Sequence, residues 1–126
     1  MMDTAKKILI IDDDEKTTEH LSRILVNAGY ETNIINMPVQ VHDQIKQYMP
    51  DLVILDLNMP GENGSYISAR MSQDKVTRDI PTIILSGLLT EYDTFMGNDP
   101  QQKTKLMTKP VDKEKLLDTI RAILKV

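Results

Sequence analysis

The chain has 126 residues, with 15 basic against 19 acidic side chains, a formal net charge of −4 and no cysteine. That length holds one ordinary domain, residues 1–126, and excludes two independent ones; a chain of this size buries roughly 68% of the surface its unfolded form exposes and needs no metal or disulfide staple. The missing cysteines exclude disulfides, thiol catalysis and zinc–thiolate sites, and the acidic balance argues against a surface devoted to nucleic acid. The longest apolar stretches run only a few residues, as at 52–55, so no membrane span or signal-peptide core is expected and the protein is expected in the cytoplasm.

The first strand is predicted at residues 8–11, a run of aliphatic residues too short for a helix. A helix follows, with Leu21, Ile24, Leu25 and Ala28 at i, i+3, i+4 and i+7 and Gly29 where a left-handed cap belongs. A less regular strand is read at 31–35. Val41, Ile45 and Met49 then repeat a helical face between Pro38, placed near the helix start, and Pro50, which stops it. Strands at 52–55 and 82–85 flank a shorter helix marked by Ile67 and Met71, and a weaker strand is read at 105–108. Between those last two strands, Leu88, Leu89, Tyr92 and Phe95 line a short helix before Gly97-Asn98-Asp99-Pro100 turns the segment into a loop. The final helix carries Leu116, Leu117, Ile120, Ile123 and Leu124 as its apolar stripe, with Asp112 as its cap. Met37, Met49, Met71 and Met107 are read as packing residues.

The runs are β-branched and lack strict alternation, which suits strands buried on both faces of a parallel sheet. Strand and helix alternate five times, which predicts an α/β layer structure with an open doubly wound parallel sheet and helices on both faces. An eight-unit barrel needs about 250 residues and does not fit. In open sheets of this kind, ligands bind beyond the carboxyl ends of the strands.

At those ends stand Asp12, Asp13 and Asp14, then Asp56, Ser86 and Lys109. Two carboxylates about 5 Å apart repel by roughly 3 kcal/mol at an effective dielectric of 20, about two pKa units. Holding Asp12, Asp13 and Asp56 together therefore calls for a cation, and a hard divalent ion, Mg2+ foremost, matches oxygen ligands. His20 and His42 lie at no strand's carboxyl end and are read as helix-surface residues. Asp14 and Glu15 are read as favouring the positive end of the first helix, and Met59-Pro60-Gly61 as a turn. A carboxylate flanked by a divalent ion and a lysine suits phosphoryl transfer, with Asp56 as nucleophile and Ser86 and Lys109 on the phosphate oxygens.

Four blocks of text now carry a family resemblance: Lys-Ile-Leu-Ile-Ile-Asp-Asp-Asp-Glu at 7–15, Asp-Leu-Val-Ile-Leu-Asp-Leu-Asn-Met-Pro-Gly at 51–61 with Gly64, Ile-Ile-Leu-Ser-Gly at 83–87, and Thr-Lys-Pro at 108–110. The chain resembles a receiver domain of two-component response regulators over its whole length from Lys7. The resemblance implies a flavodoxin-like sheet of order 2-1-3-4-5, with Asp56 as phosphoacceptor, Asp13 as direct magnesium ligand and Asp12 as a second acid often acting through water. The Asn58 backbone carbonyl would be a further ligand, with Ser86 the hydroxyl switch and Lys109 the phosphate-pairing residue. It also implies a cis Lys109–Pro110 bond, open space beside Gly87, and a sensor histidine kinase or phosphotransfer protein as donor.

The chain departs from that pattern in two places. Receivers usually carry Tyr or Phe three residues before the lysine, where this chain has Leu106, and the small Gly-Ala pair before the fifth strand is replaced by a polar stretch over 98–105. The expected function is a phosphorylation-controlled signalling switch, not an enzyme acting on external substrates. The alternative is a phosphorylation-independent interaction module of the same fold. An aspartyl phosphatase is disfavoured because Asn58 stands where a second acid is wanted. The last apolar stripe ends near Val126, so no DNA-binding segment is expected to follow, and output is expected through a partner protein or a homodimer.

Overall fold

The computed structural model describes residues 4–87 and 104–125. Five parallel strands, β1 (Lys7–Ile11), β2 (Glu31–Ile35), β3 (Leu52–Asp56), β4 (Thr82–Ser86) and β5 (Thr104–Thr108), form one sheet of order β2-β1-β3-β4-β5. Among the described residues four helices accompany them: α1 (Glu15–Asn27), α2 (Val41–Tyr48), α3 (Gly64–Gln73) and α4 (Lys113–Leu124). The helix read from Leu88 lies outside the described residues.

Alternation along the central strands divides the core into two. Ile8, Ile10, Leu52, Ile54, Ile83 and Leu85 pack with Leu21 and Leu25 of α1 and Leu116 and Ile120 of α4. The intervening Leu9, Ile11, Val53, Leu55 and Ile84 pack with Val41 and Ile45 of α2 and Ile67 and Met71 of α3. Strands β3 and β4 are buried at every position, whereas the edge strands β2 and β5 are not, as edge strands with one covered side require. Each fully buried aliphatic side chain in these layers contributes about 1.5–3 kcal/mol relative to exposure.

Local chemistry sets the helix ends. The Asp14 carboxylate caps α1, accepting from the Lys16 amide at 3.1 Å, and the Thr17 hydroxyl beside it holds the carboxyl below its usual range. Gly29, just past the C-cap Ala28, takes φ +99°, the left-handed conformation in which glycine carries no Cβ penalty. Asp112 caps α4 through the amides of Glu114 and Lys115, at 3.0 and 3.3 Å.

Three readings from sequence need correction. Met49 does not continue the α2 face: it lies beyond the helix at φ +51° and is 45% exposed, because a left-handed residue breaks the helical period. Met37 is 74% exposed, so it and Met49 are not packing residues, while Met71 and Met107 are buried. His42 is not a surface residue; it is 7% exposed, with Nε2 3.2 Å from the Thr77 hydroxyl and 3.4 Å from the Asp74 carboxylate. These polar partners give Nε2 a hydrogen-bonding environment inside the protein, which offsets the cost of burying it.

Candidate functional site: an acidic cleft at the carboxyl edge of the sheet

Strand β1 hydrogen-bonds to β2 on one side and β3 on the other, while α1 and α3, which follow β1 and β3, pack on opposite faces. The chain therefore diverges beyond the carboxyl ends of β1 and β3, and a crevice opens there. Asp12 is the first residue past β1 and Asp56 the last residue of β3. Asp12, Asp13 and Asp56 place ligand oxygens within 4.8 Å of one another, with Asp12 and Asp56 buried and Asp13 exposed.

Asp12 is held on every side. Its amide donates to the Ile35 carbonyl at 3.1 Å, its carbonyl accepts from Asn36 Nδ2 at 2.8 Å, and its Oδ1 accepts from the Asp14 amide at 3.0 Å. Its other carboxylate oxygen, Oδ2, accepts from Lys109 Nζ at 2.9 Å, and the same ammonium lies 3.2 Å from Asp56 Oδ1. One cation thus spans two buried acids that come from strands more than forty residues apart. Burial first, and the Asp12 charge second, push the Asp56 carboxyl above its usual range, against the pull of Lys109 and the Asn58 amide. Burial draws the Lys109 ammonium down, but Asp12 and Asp56 outweigh it and the net shift is upward.

Ser86 closes β4 with its side chain fully buried, and its carbonyl accepts from the Lys109 amide at 2.9 Å, tying hydroxyl and lysine to one corner. The Lys109–Pro110 peptide is cis. Among the described residues nothing lies within 4 Å of where a Gly87 side chain would begin, which leaves space on that side of Ser86. Asn58 is exposed and its amide faces Asp56. The structure thus brings five of the residues singled out in the sequence, Asp12, Asp13, Asp56, Ser86 and Lys109, to one edge, with Asn58 beside them.

Two supporting residues escape a reading of the sequence. Asn36 donates from one amide nitrogen both to the Asp12 carbonyl and to the Thr18 hydroxyl, at 2.8 and 2.9 Å, and Thr18 is fully buried. An asparagine directly after β2 is the only trace this leaves in the sequence. Met59, read as part of a turn, is buried in the core beside α2 and α3.

A doubly wound sheet with clustered acids, a hydroxyl and a lysine at its switch point defines a class of phosphate-handling signalling proteins. The chain belongs to the response regulator receiver domain family, whose sequence profile matches residues 8–121. Receivers are standard illustrations of the switch-point rule, so the position of the cleft follows the family. They are signalling modules and not conventional enzymes. The DNA-binding dual master transcriptional regulator RpaA of Synechocystis is 35% identical over 94% of this chain and 49% of its own length. Protein PilH of Pseudomonas aeruginosa is 34% identical, over 94% of this chain and 97% of its own length. The chain spans about half the length of RpaA and of other curated regulators it matches. A putative response regulator from Chloroflexus aurantiacus superposes with a TM-score of 0.86 at 26% identity, over 98% of this chain and 100% of its own. The chemotaxis protein CheY4 of Vibrio cholerae, 23% identical, shares the fold with a TM-score of 0.85, over 96% of this chain and all of its own.

Proposed function

We propose that the chain is a phosphorylation-controlled switch that accepts a phosphoryl group on Asp56 from a sensor histidine kinase or phosphotransfer protein. The observation that carries this reading is the sharing of one ammonium, Lys109 Nζ, between two buried carboxylates at 2.9 and 3.2 Å with a third carboxylate alongside. That arrangement leaves acids in excess of cations, and the donors are all oxygen. Such a set fits a hard divalent cation; Asp12, Asp13, Asp56 and the Asn58 carbonyl would hold Mg2+. When bound, the ion supplies positive charge against the phosphate oxygens.

The chain's own residues perform the rest. An Asp56 carboxylate oxygen forms a bond to the donor's phosphorus as the bond from phosphorus to the histidine nitrogen breaks, and the imidazole leaves carrying that electron pair. Lys109 releases its hold on the carboxylates and pairs with a phosphate oxygen; the Ser86 hydroxyl donates to another. The new charge biases two conformations because Ser86 and Lys109 meet it better in one of them. We read residues 1–126 as one receiver domain acting in the cytoplasm, with output through a protein partner or a homodimer. Among the described residues no helix is long and apolar enough to cross a membrane.

The rival reading, a receiver-fold interaction module indifferent to phosphorylation, is favoured by Leu106, which is half-buried against the core where receivers usually place an aromatic ring. Incubation with acetyl phosphate and magnesium separates the two. Stoichiometric labelling is expected in the native chain and none in Asp56→Asn; label retained in that variant would reject Asp56 as acceptor. Partner capture that ignores beryllofluoride at an occupied site would favour the module.

A further inference from the structure

The amino end of α2 is not capped by its own residues. Gln40, at the N-cap, is left-handed at φ +51° and makes no side-chain bond to the helix. The Glu62 carboxylate takes that place from another loop, accepting from the Gln40 amide at 2.6 Å and the Val41 amide at 3.3 Å. A carboxylate on the opening amides of a helix is favoured by both hydrogen bonding and the helix dipole.

Glu62 belongs to the segment 57–63, which runs from Asp56 to α3. Both ends of that segment are tight. A side-chain carbon on Gly64 would fall 2.5 Å from the Asp56 carbonyl oxygen and 2.8 Å from Leu57 Cα, so the first residue of α3 rests directly on the backbone of the acceptor. The Gly64 amide donates to the Leu57 carbonyl at 2.9 Å. Met59, in the middle, is buried in the same core group as Val41 of α2. Backbone displacement at Asp56 therefore has a short, packed route to α2. The segment on the far side of the latch carries Met37 and Val39, 74% and 56% exposed.

We propose that Glu62 is a positioning residue that latches the 57–63 segment to the amino end of α2, so that occupancy at Asp56 is felt at Gln40 and Val41 and in the presentation of Met37 and Val39. The latch itself stands on geometry alone; its response to occupancy rests on the proposed phosphoacceptor function.

The test is amide hydrogen exchange, read residue by residue on the full chain and on Glu62→Ala and Glu62→Gln. Without ligand, Glu62→Ala is expected to speed exchange about tenfold at Gln40 and Val41, the scale of one lost charge-assisted hydrogen bond. It is also expected to speed exchange at Gly64, whose amide bonds to Leu57 and not to Glu62. Glu62→Gln, which keeps an acceptor oxygen, should fall between. With magnesium and beryllofluoride, protection at Gln40 and Val41 should change in the native chain and stay still in Glu62→Ala. Acceleration confined to Gln40 and Val41 makes Glu62 a local cap and overturns the proposal, as does a beryllofluoride response in Glu62→Ala equal to the native one. If fluorine NMR shows that the native chain binds no beryllofluoride, the phosphoacceptor reading fails instead, and the ligand-free comparison still decides the latch.

Discussion

The two edges of the sheet both gather acids around a lysine, yet they differ in how those charges are matched. At the amino edge, Lys7 Nζ donates to the Tyr48 carbonyl at 2.7 Å and lies 4.7 Å from the centre of the Tyr48 ring. Asp51 accepts the Lys7 amide at 2.7 Å, and Glu31 accepts the Tyr48 hydroxyl at 3.1 Å. Each acid there has a donor of its own, and the groups are partly exposed. At the carboxyl edge Asp12 and Asp56 are 2% and 6% exposed and share one ammonium. A buried surplus of one charge is costly to a fold and useful to a site that must take up a cation and a phosphoryl group. Both edges carry one acid more than they have lysines; what separates them is that the carboxyl-edge pair is buried and shares a single donor, whereas the amino-edge acids are partly exposed and separately bonded.

Asp56→Asn tests that distinction most severely. Besides abolishing phosphodonor labelling, it is expected to make the metal-free protein more stable by about 1 kcal/mol: the Asp12–Asp56 repulsion of roughly 3 kcal/mol is removed and part of the Lys109 attraction goes with it. A raised carboxyl pKa means that the folded state holds its proton where the unfolded state has released it, so stability falls as pH rises through the carboxylate range. The advantage of Asp56→Asn should accordingly be present at neutral pH, fade as the pH falls through the raised range of the Asp56 carboxyl, and be gone below about 4, in paired urea titrations. Equal or lower stability of the variant at neutral pH would break the comparison.

Lys109→Met removes the shared cation and leaves both acids uncompensated. A loss of about 2 kcal/mol is expected without magnesium, below the usual cost for a broken buried pair because the lysine is 27% exposed. Acidification or magnesium should restore part of it. Magnesium alone sharpens the contrast further: at about 100 times its dissociation constant it should stabilise the native chain by about 2.7 kcal/mol. Asp12→Asn should reduce that gain, whereas Lys7→Met at the other edge, though itself less stable by about 1 kcal/mol, should keep it. A magnesium gain lost equally in Lys7→Met would show that the ion binds elsewhere.

The legibility of these features follows the range of the forces behind them. The central strands were readable because β1, β3 and β4 are buried on both faces, and continuous apolar runs report that directly. The cleft was readable because chemistry at the ends of such strands converges whatever fills the intervening chain. The α2 boundary was misread because Met49 continues the spacing while its backbone turns left-handed, a choice made at the residue after the helix and not by periodicity. The burial of His42 depends on Asp74 and Thr77, more than thirty residues away, and the Glu62 latch on Gln40 and Val41 is equally non-local. No local pattern records either.

The smallest expected effect lies at the amino edge. Burial first, then the bond to Glu31 and the charges of Glu31 and Asp51, push the Tyr48 phenol up to about 12. The folded state therefore keeps the phenolic proton in a range where the unfolded chain loses it, and stability should decline between about pH 10 and 12 on this account. Glu31→Gln removes a negative charge and a carboxylate acceptor from the hydroxyl, so the Tyr48 absorbance change should move toward lower pH and the alkaline loss of stability should soften. Because burial contributes most, the phenol should stay above its ordinary value of 10.0 even in that variant. Neither change should alter phosphodonor labelling or magnesium binding, since Lys7, Asp51 and Glu31 are each bonded to a neighbour at their own edge. An effect of Glu31→Gln on labelling would mean that the two edges communicate through β1, and that a surplus at one end is not independent of the pairing at the other.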